Sequence, residues 1–342
     1  MSQVTEPQVD PNFQIELNGI VFQWQTSHLA YNDALDAIEQ LRQRTIRENA
    51  PVHRGLIENS LGIVEGIRSN LGKSLTHFET SRRIFEECGA RSRIGNASLN
   101  IGETHRLRGN FQRARIYFQE AHEIARQYEN LGIQAIALGN EAQIWCSLRQ
   151  YDSAYDLLLK ADALCQHPWQ ADEPERMTRA RMSCECEVHH AFVDVYLYRQ
   201  NIDDAVKHAQ RGLDLAQRVG DAVIIGMANR AMGNALTALY KHDQTYNPDD
   251  YYRAAINSFN EIKAEGDVGK TLLAQGKSMA ERGRKRSAAQ LFQRVSLSIS
   301  FLILWKYVSR RHPRVLLSGS PSQVTPFRDS TICVARLPMS DQ

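Results

Sequence analysis

The chain has 342 residues, 42% of them hydrophobic and 23% charged, with 20 glycines and 10 prolines. That is an ordinary water-soluble composition and excludes a fibrous, collagenous or wholly disordered chain. Basic and acidic residues number 41 and 39, a net charge of +2, so no surface built to neutralise phosphates is implied and no nucleic-acid partner is expected.

Residues 1–15 are polar and acidic, with no basic stretch followed by an apolar core, so they do not form a secretory signal. They are expected to be a disordered N-terminus. The six cysteines are sparse and irregularly spaced, which points to reduced thiols and a cytoplasmic protein rather than a disulfide framework.

From residue 16 onward one frame of small and aromatic residues recurs. Its first copy is weak: Ala34, Ile38 and Leu41 fit, but Phe22 stands where a small residue is expected. The second copy reads Gly62, Ser74, Phe78, Ser81, and the third reads Gly102, Ala114, Phe118, Ala121. The fourth reads Ala142, Ala154, Leu158, Ala161. Ala34, Ser74, Ala114 and Ala154 are thus spaced by 40 residues.

Ala114, Phe118, Ala121 and Ala125 share one face of a helix. Ile94 to Arg108 is a second helix, with Gly109-Asn110 as the turn between them. Small residues at Gly102 and Ala114 allow the two helices to approach, and Phe118 is expected to fill the space under the next unit. No unit can bury its apolar face alone, so neighbours must stack.

The insertion CQHPWQADEPE, from Cys165 to Glu175, carries two prolines that break any helix and lengthens the next interval. Within the fifth unit, Cys184, Cys186, His189 and His190 form the densest cluster of ligand-like side chains. No second ligand pair lies nearby, so ordinary helix packing is the expectation and no metal is assigned. The sixth copy has Ala255, Phe259 and Ile262, preceded by a polar insertion, Lys241 to Asp250, with a central Asn-Pro turn signal.

The seventh copy has Gly276, Ala288 and Phe292. Here Gly269-Lys270-Thr271 resembles the end of a phosphate-binding loop. Ala264 stands where its first glycine belongs and no strand precedes it, so the cradle is incomplete. Gly266-Asp267 reads instead as the boundary between two helices. No acid/base pair on a recognisable scaffold appears, so neither catalytic residues, nor enzymatic activity, nor a cofactor is expected.

After Arg294 the pattern stops. Residues 295–342 hold nine serines, two acidic residues and six basic ones. Val295 to Val308 is too short for a membrane span and contains Lys306. A β-prone or amphipathic segment that caps the apolar end of the last repeat is one reading of this stretch. A change of reading frame, gene model or splice is the favoured one, because composition and periodicity change together inside a predicted helix. Ser309 to Gln342, with four prolines, is expected to be poorly ordered.

The spacing of small, small, aromatic and small residues resembles the tetratricopeptide repeat, in the variant of about 40 residues rather than the usual ~34. The tryptophan and closing proline of that family are mostly absent. The resemblance implies an all-α, right-handed superhelical solenoid of about seven antiparallel helix pairs over residues 16–294, with an irregular C-terminal tail. It further implies that the first helix of each pair lines a concave groove and that the groove binds another protein, as a peptide or a helix. Carried over, the groove residues are Asn96, Glu103, Arg106, Gln143, Asp194, Arg230, Asn234 and Lys277.

Amide side chains suit a peptide backbone, so Asn96, Gln143 and Asn234 are expected to bind main-chain groups. Arg106, Arg230 and Lys277 are expected to bind acidic groups, and alanine at Asn96, Arg106 and Arg230 to weaken binding without unfolding the chain. A non-enzymatic interaction scaffold is the functional expectation. The alternative is a regulatory or sensor module of a signalling ATPase, cyclase or transcription regulator whose effector domain is absent.

Overall fold

In the computed structural model, residues 6–298 are described, apart from 170 and 241, with side chains placed as far as residue 293. They form fourteen helices, and there is no strand among the described residues. The first helices of the pairs are α1 (Pro11–Gln25), α3 (Pro51–Ile67), α5 (Arg91–Leu107), α7 (Leu131–Ser147), α9 (Glu175–Tyr198), α11 (Ala222–Leu239) and α13 (Glu265–Glu281). Their partners are α2 (Tyr31–Arg47), α4 (Leu71–Cys88), α6 (Phe111–Gln127), α8 (Tyr151–Cys165), α10 (Ile202–Val219), α12 (Pro248–Glu261) and α14 (Lys285–Ser298). Each helix packs on the next in sequence, and the odd-numbered ones also touch one another in series along the inner layer. This is an α-solenoid.

The 40-residue unit is two half-units of 20. Asn49, Ser69, Gly89, Gly109, Glu129 and Arg149 stand twenty residues apart, and all have φ between 50° and 77°. Each ends a helix in the left-handed conformation. At Gly109 the N–H bonds to Arg106 O, and the next N–H, of Asn110, reaches back to His105 O at 2.9 Å, which satisfies carbonyls the helix end would leave bare. Glu129 and Arg149 adopt this backbone without being glycine, so the turn is set by hydrogen bonding more than by residue type.

Within a pair, the small residues do what their size allows. A Cβ on Gly102 would lie 2.8 Å from the Phe118 ring, and one on Gly276 would lie 2.6 Å from that of Phe292. Phe118 therefore packs on the first helix of its own unit, not only beneath the next one. Ser74 Oγ donates to Gly62 O at 2.8 Å and Ser81 Oγ to Gly55 O at 2.7 Å, which fastens α4 to α3 with side-chain-to-backbone bonds.

Three features differ from the sequence expectation. α1 begins at Pro11, inside the stretch expected to be disordered: Asp10 accepts from Asn12 N at the cap, and Phe13 stacks on His53 at 4.2 Å. Pro248 to Asp250 belong to the first turn of α12, where Asn247 is the cap and Pro248 fits the position that needs no N–H donor, so the second insertion is shorter. α13 begins at Glu265, which places Gly266 and Asp267 in its first turn and the Gly269-Lys270-Thr271 triplet mid-helix, where it cannot cradle a phosphate. The expectations for residues 299–342 lie outside the described residues.

The first insertion does break the helix. α8 stops at Cys165 and α9 starts at Glu175. Trp169 folds back over Gly132 of α7, its indole donating to Leu164 O at 3.0 Å. Glu173 gathers Trp169 N, Thr178 Oγ1 and the Arg181 guanidinium.

Candidate functional site

Five of the odd-numbered helices, α5 to α13, bring charged or titratable residues into one another's electrostatic reach along the inner layer, called the hollow below. His190 of α9 shows this best. Burial first, then the charges of Arg230, Arg106 and Lys270, push its imidazole down to about 3, with Asp267 opposing. Arg106 comes from α5, Arg230 from α11, and Lys270 and Asp267 from α13. Cys146 of α7 is in the same field: burial, then Asp194 of α9, raises its thiol to about 12, and Arg106 pulls the other way. Five inner helices thus address one space through charged or titratable groups.

The cations in this space have local partners. Arg106 makes a bidentate pair with Glu103, both bonds 2.7 Å. Arg230 and Lys270 both meet Asp267 Oδ1 at 3.2 Å, and the Arg230 guanidinium lies over the Phe259 ring, 5.5 Å from its centre. A ligand acid would have to compete with Glu103 and Asp267 or complete their networks.

The expected groove residues divide into two sets. Gln143, Asp194 and Lys277 stand on α7, α9 and α13 with their side chains at least partly open, and Arg106 is partly open as well. Asn96, Glu103 and Arg230 are buried in the inner layer, and Asn96 Oδ1 is buried with no hydrogen-bond partner. Asn234 is turned toward α12, where its Oδ1 accepts from the Tyr252 hydroxyl at 2.9 Å.

Sequence reasoning missed a buried carboxamide pair. Asn100 Nδ2 donates to Asn59 Oδ1 at 3.0 Å between α5 and α3, while Asn100 Oδ1 and Asn140 Nδ2 are buried without partners. Asn100 and Asn140 lie 40 residues apart at the same place in successive units, a signal present in the sequence but not read there.

The cysteine–histidine cluster is dispersed by the helix. Cys184 meets Cys165 with sulfurs 3.4 Å apart, and Cys186 donates to Gly212 O. His189 lies 2.9 Å from His208 through their Nδ1 atoms and 3.6 Å from Glu185 through Nε2, whereas His190 faces the charged hollow. Among the described residues no group of three or more such side chains is placed to hold a metal ion, and no helix is long and apolar enough to cross a membrane.

Residues 53–127, spanning α3 to α6, match the tetratricopeptide repeat family. These residues carry tetratricopeptide repeats. No curated protein matches it. Aspartyl phosphate phosphatase F from Bacillus subtilis is similar with a TM-score of 0.59 at 13% identity, covering 84% of this chain and 71% of that one. The apo form of RapI gives 0.57 at 12% identity, covering 84% of this chain and 97% of its own. A Rap protein complexed with Competence and Sporulation Factor gives 0.54 at 11%, with the same coverages. At these identities the likeness is one of fold.

Proposed function

We propose that this tetratricopeptide-repeat chain is a non-enzymatic interaction scaffold of the cytoplasm that holds a peptide or helix of a partner protein in its inner hollow. The reading is supported by Arg230 and Lys270 meeting at Asp267 between α11 and α13, with the charges of both and of Arg106 on α5 acting on His190 of α9. A ligand there meets both charge signs and the amide of Gln143, which can pair with a peptide group as donor and acceptor. Arg106 and Lys277 bind acidic side chains or a carboxylate. Asn96 acts from behind them, since its side chain is buried.

Selection from a random peptide display library on the immobilised full chain tests this. The wild type enriches a common peptide, and Arg106→Gln with Asp194→Asn and Lys277→Gln lowers its affinity by about tenfold or more, as truncating charged recognition groups does. Equal enrichment by wild type and variant contradicts the reading. Asn96 and Arg230 are left intact, because removing them would disturb the inner layer.

A second reading is a regulatory or sensor module that works with a signalling ATPase, cyclase or transcription regulator. The fold shared with a Rap protein solved with Competence and Sporulation Factor favours it. Under this reading the selected ligand changes the affinity of the chain for a second protein.

A further inference from the structure

The two ends of the solenoid meet. Ser69, in the turn after α3, accepts a hydrogen bond through Oγ from Gly266 N in the first turn of α13, at 3.2 Å and 197 residues away. Ser27, in the turn after α1, donates to Glu261 Oε2 at the end of α12, at 3.3 Å. The Arg179 guanidinium of α9 lies 4.6 Å from the centre of the Phe22 ring in α1. Beneath these bonds, Trp24 and Ile67 belong to one apolar cluster with Ile262 and Ala264.

This seam is unlike the joint between successive pairs, where whole helices lie side by side. It joins the ends of α1 and α3 to the start of α9, the end of α12 and the start of α13 through a few polar contacts around a small apolar patch. α13 also depends on it. Its own cap residue, Ala264, offers no side-chain acceptor, so Ser69 supplies from across the seam the bond an N-terminal serine would normally make. One residue after Gly266 comes Asp267, which holds Arg230 and Lys270 in the hollow.

We propose that the seam is a clasp: the first two helix pairs release α12 and α13 to open the hollow and re-engage to enclose what has entered. Closing caps α13 and sets Asp267 between its two cations, so enclosure and arrangement of the charged wall occur together. The clasp rests on the reading of the hollow as the binding surface, but its test needs no ligand, so the two can fail separately.

The test is alkylation of Cys146 by N-ethylmaleimide in the full chain, followed residue by residue by mass spectrometry. Cys146 is 8% exposed on the inner helix α7, whereas Cys165 and Cys184 are buried between α8 and α9 and report general loosening. Ser69→Ala with Glu261→Ala is expected to speed Cys146 labelling about tenfold, the change for a shift of ~1.4 kcal/mol in opening, and to leave Cys165 and Cys184 unchanged. Joining Ser27→Cys to Glu261→Cys with a short bis-maleimide is expected to slow Cys146 below the wild-type rate. An unchanged Cys146 rate in either protein, or equal acceleration of all three cysteines, overturns the clasp.

Discussion

Arg230 and Asp267 form a buried ion pair between α11 and α13, with Nη1 and Oδ1 3.2 Å apart and the Asp267 side chain 2% exposed. Neither charge can be left alone there, because a buried ion without its partner keeps its desolvation penalty and loses its compensation. Asp267→Ala is therefore expected to lower the unfolding free energy by about 3–5 kcal/mol, read from urea denaturation. This also revises the expectation that alanine at Arg230 leaves the fold intact. A loss under about 1 kcal/mol would show that the pair is solvated.

Gly102 has no room for a side chain. Alanine there would gain about 1 kcal/mol in helix propensity, yet its Cβ would lie 2.8 Å from the Phe118 ring and 3.1 Å from Tyr117 Cβ. Overpacking of this kind costs about 1–3 kcal/mol, so Gly102→Ala is expected to be a net loss. A higher melting temperature than wild type would mean the pair is looser than its geometry.

Acid should weaken the fold through His190. Its folded pKa, pushed down to about 3 by burial and by Arg230, Arg106 and Lys270, lies below the ordinary 6.5. The neutral form is therefore favoured in the folded state, and this contribution is complete above 6.5 and lost as pH falls toward 3. Urea midpoints measured from pH 7 to pH 4 should fall, and His190→Gln should flatten part of that slope. Glu58 adds a lower window. Burial raises its pKa, but the hydrogen bond from His77 and the charge of Arg42 outweigh that and hold it below 4.5. Its stabilising effect is present above about 4.5 and disappears as pH drops through the lower folded value.

The insertion between α8 and α9 is held by Trp169 and Glu173. Trp169→Ala removes the indole from Gly132 and its bond to Leu164 O. Limited proteolysis is expected to cut within residues 166–174 much faster than in wild type, with α5 to α7 left whole. Unchanged resistance would assign the order of this loop to Glu173 and Arg181 instead.

Much of the fold is legible in the sequence because close approach of two helices restricts residue type. Gly62, Gly102 and Gly276 must be small where Phe78, Phe118 and Phe292 cross them, so the frame repeats visibly. The turns are less legible. Their left-handed residues include Ser69, Glu129, Arg149 and Gln200, whose conformation is imposed by backbone bonds and leaves no residue signature. The site is read only in part. The resemblance to the repeat family assigns Arg106, Gln143, Asp194 and Lys277 to inner helices, but nothing in the chain announces that Asn234 serves Tyr252 or that Arg230 finds Asp267 37 residues on. Contacts across the seam, such as Ser69 with Gly266, join positions 197 apart and have no local pattern at all.

The central claim is that recognition occurs in the hollow and not on the outer layer. It is tested most directly by placing a photoreactive amino acid at Gln143 of the inner helix α7 or, separately, at Ile116 of α6, which is 59% exposed. Irradiation in the cells that make the protein should give one dominant adduct from position 143 and none from position 116. Adducts at 116 alone would place the partner on the outer layer and contradict the account.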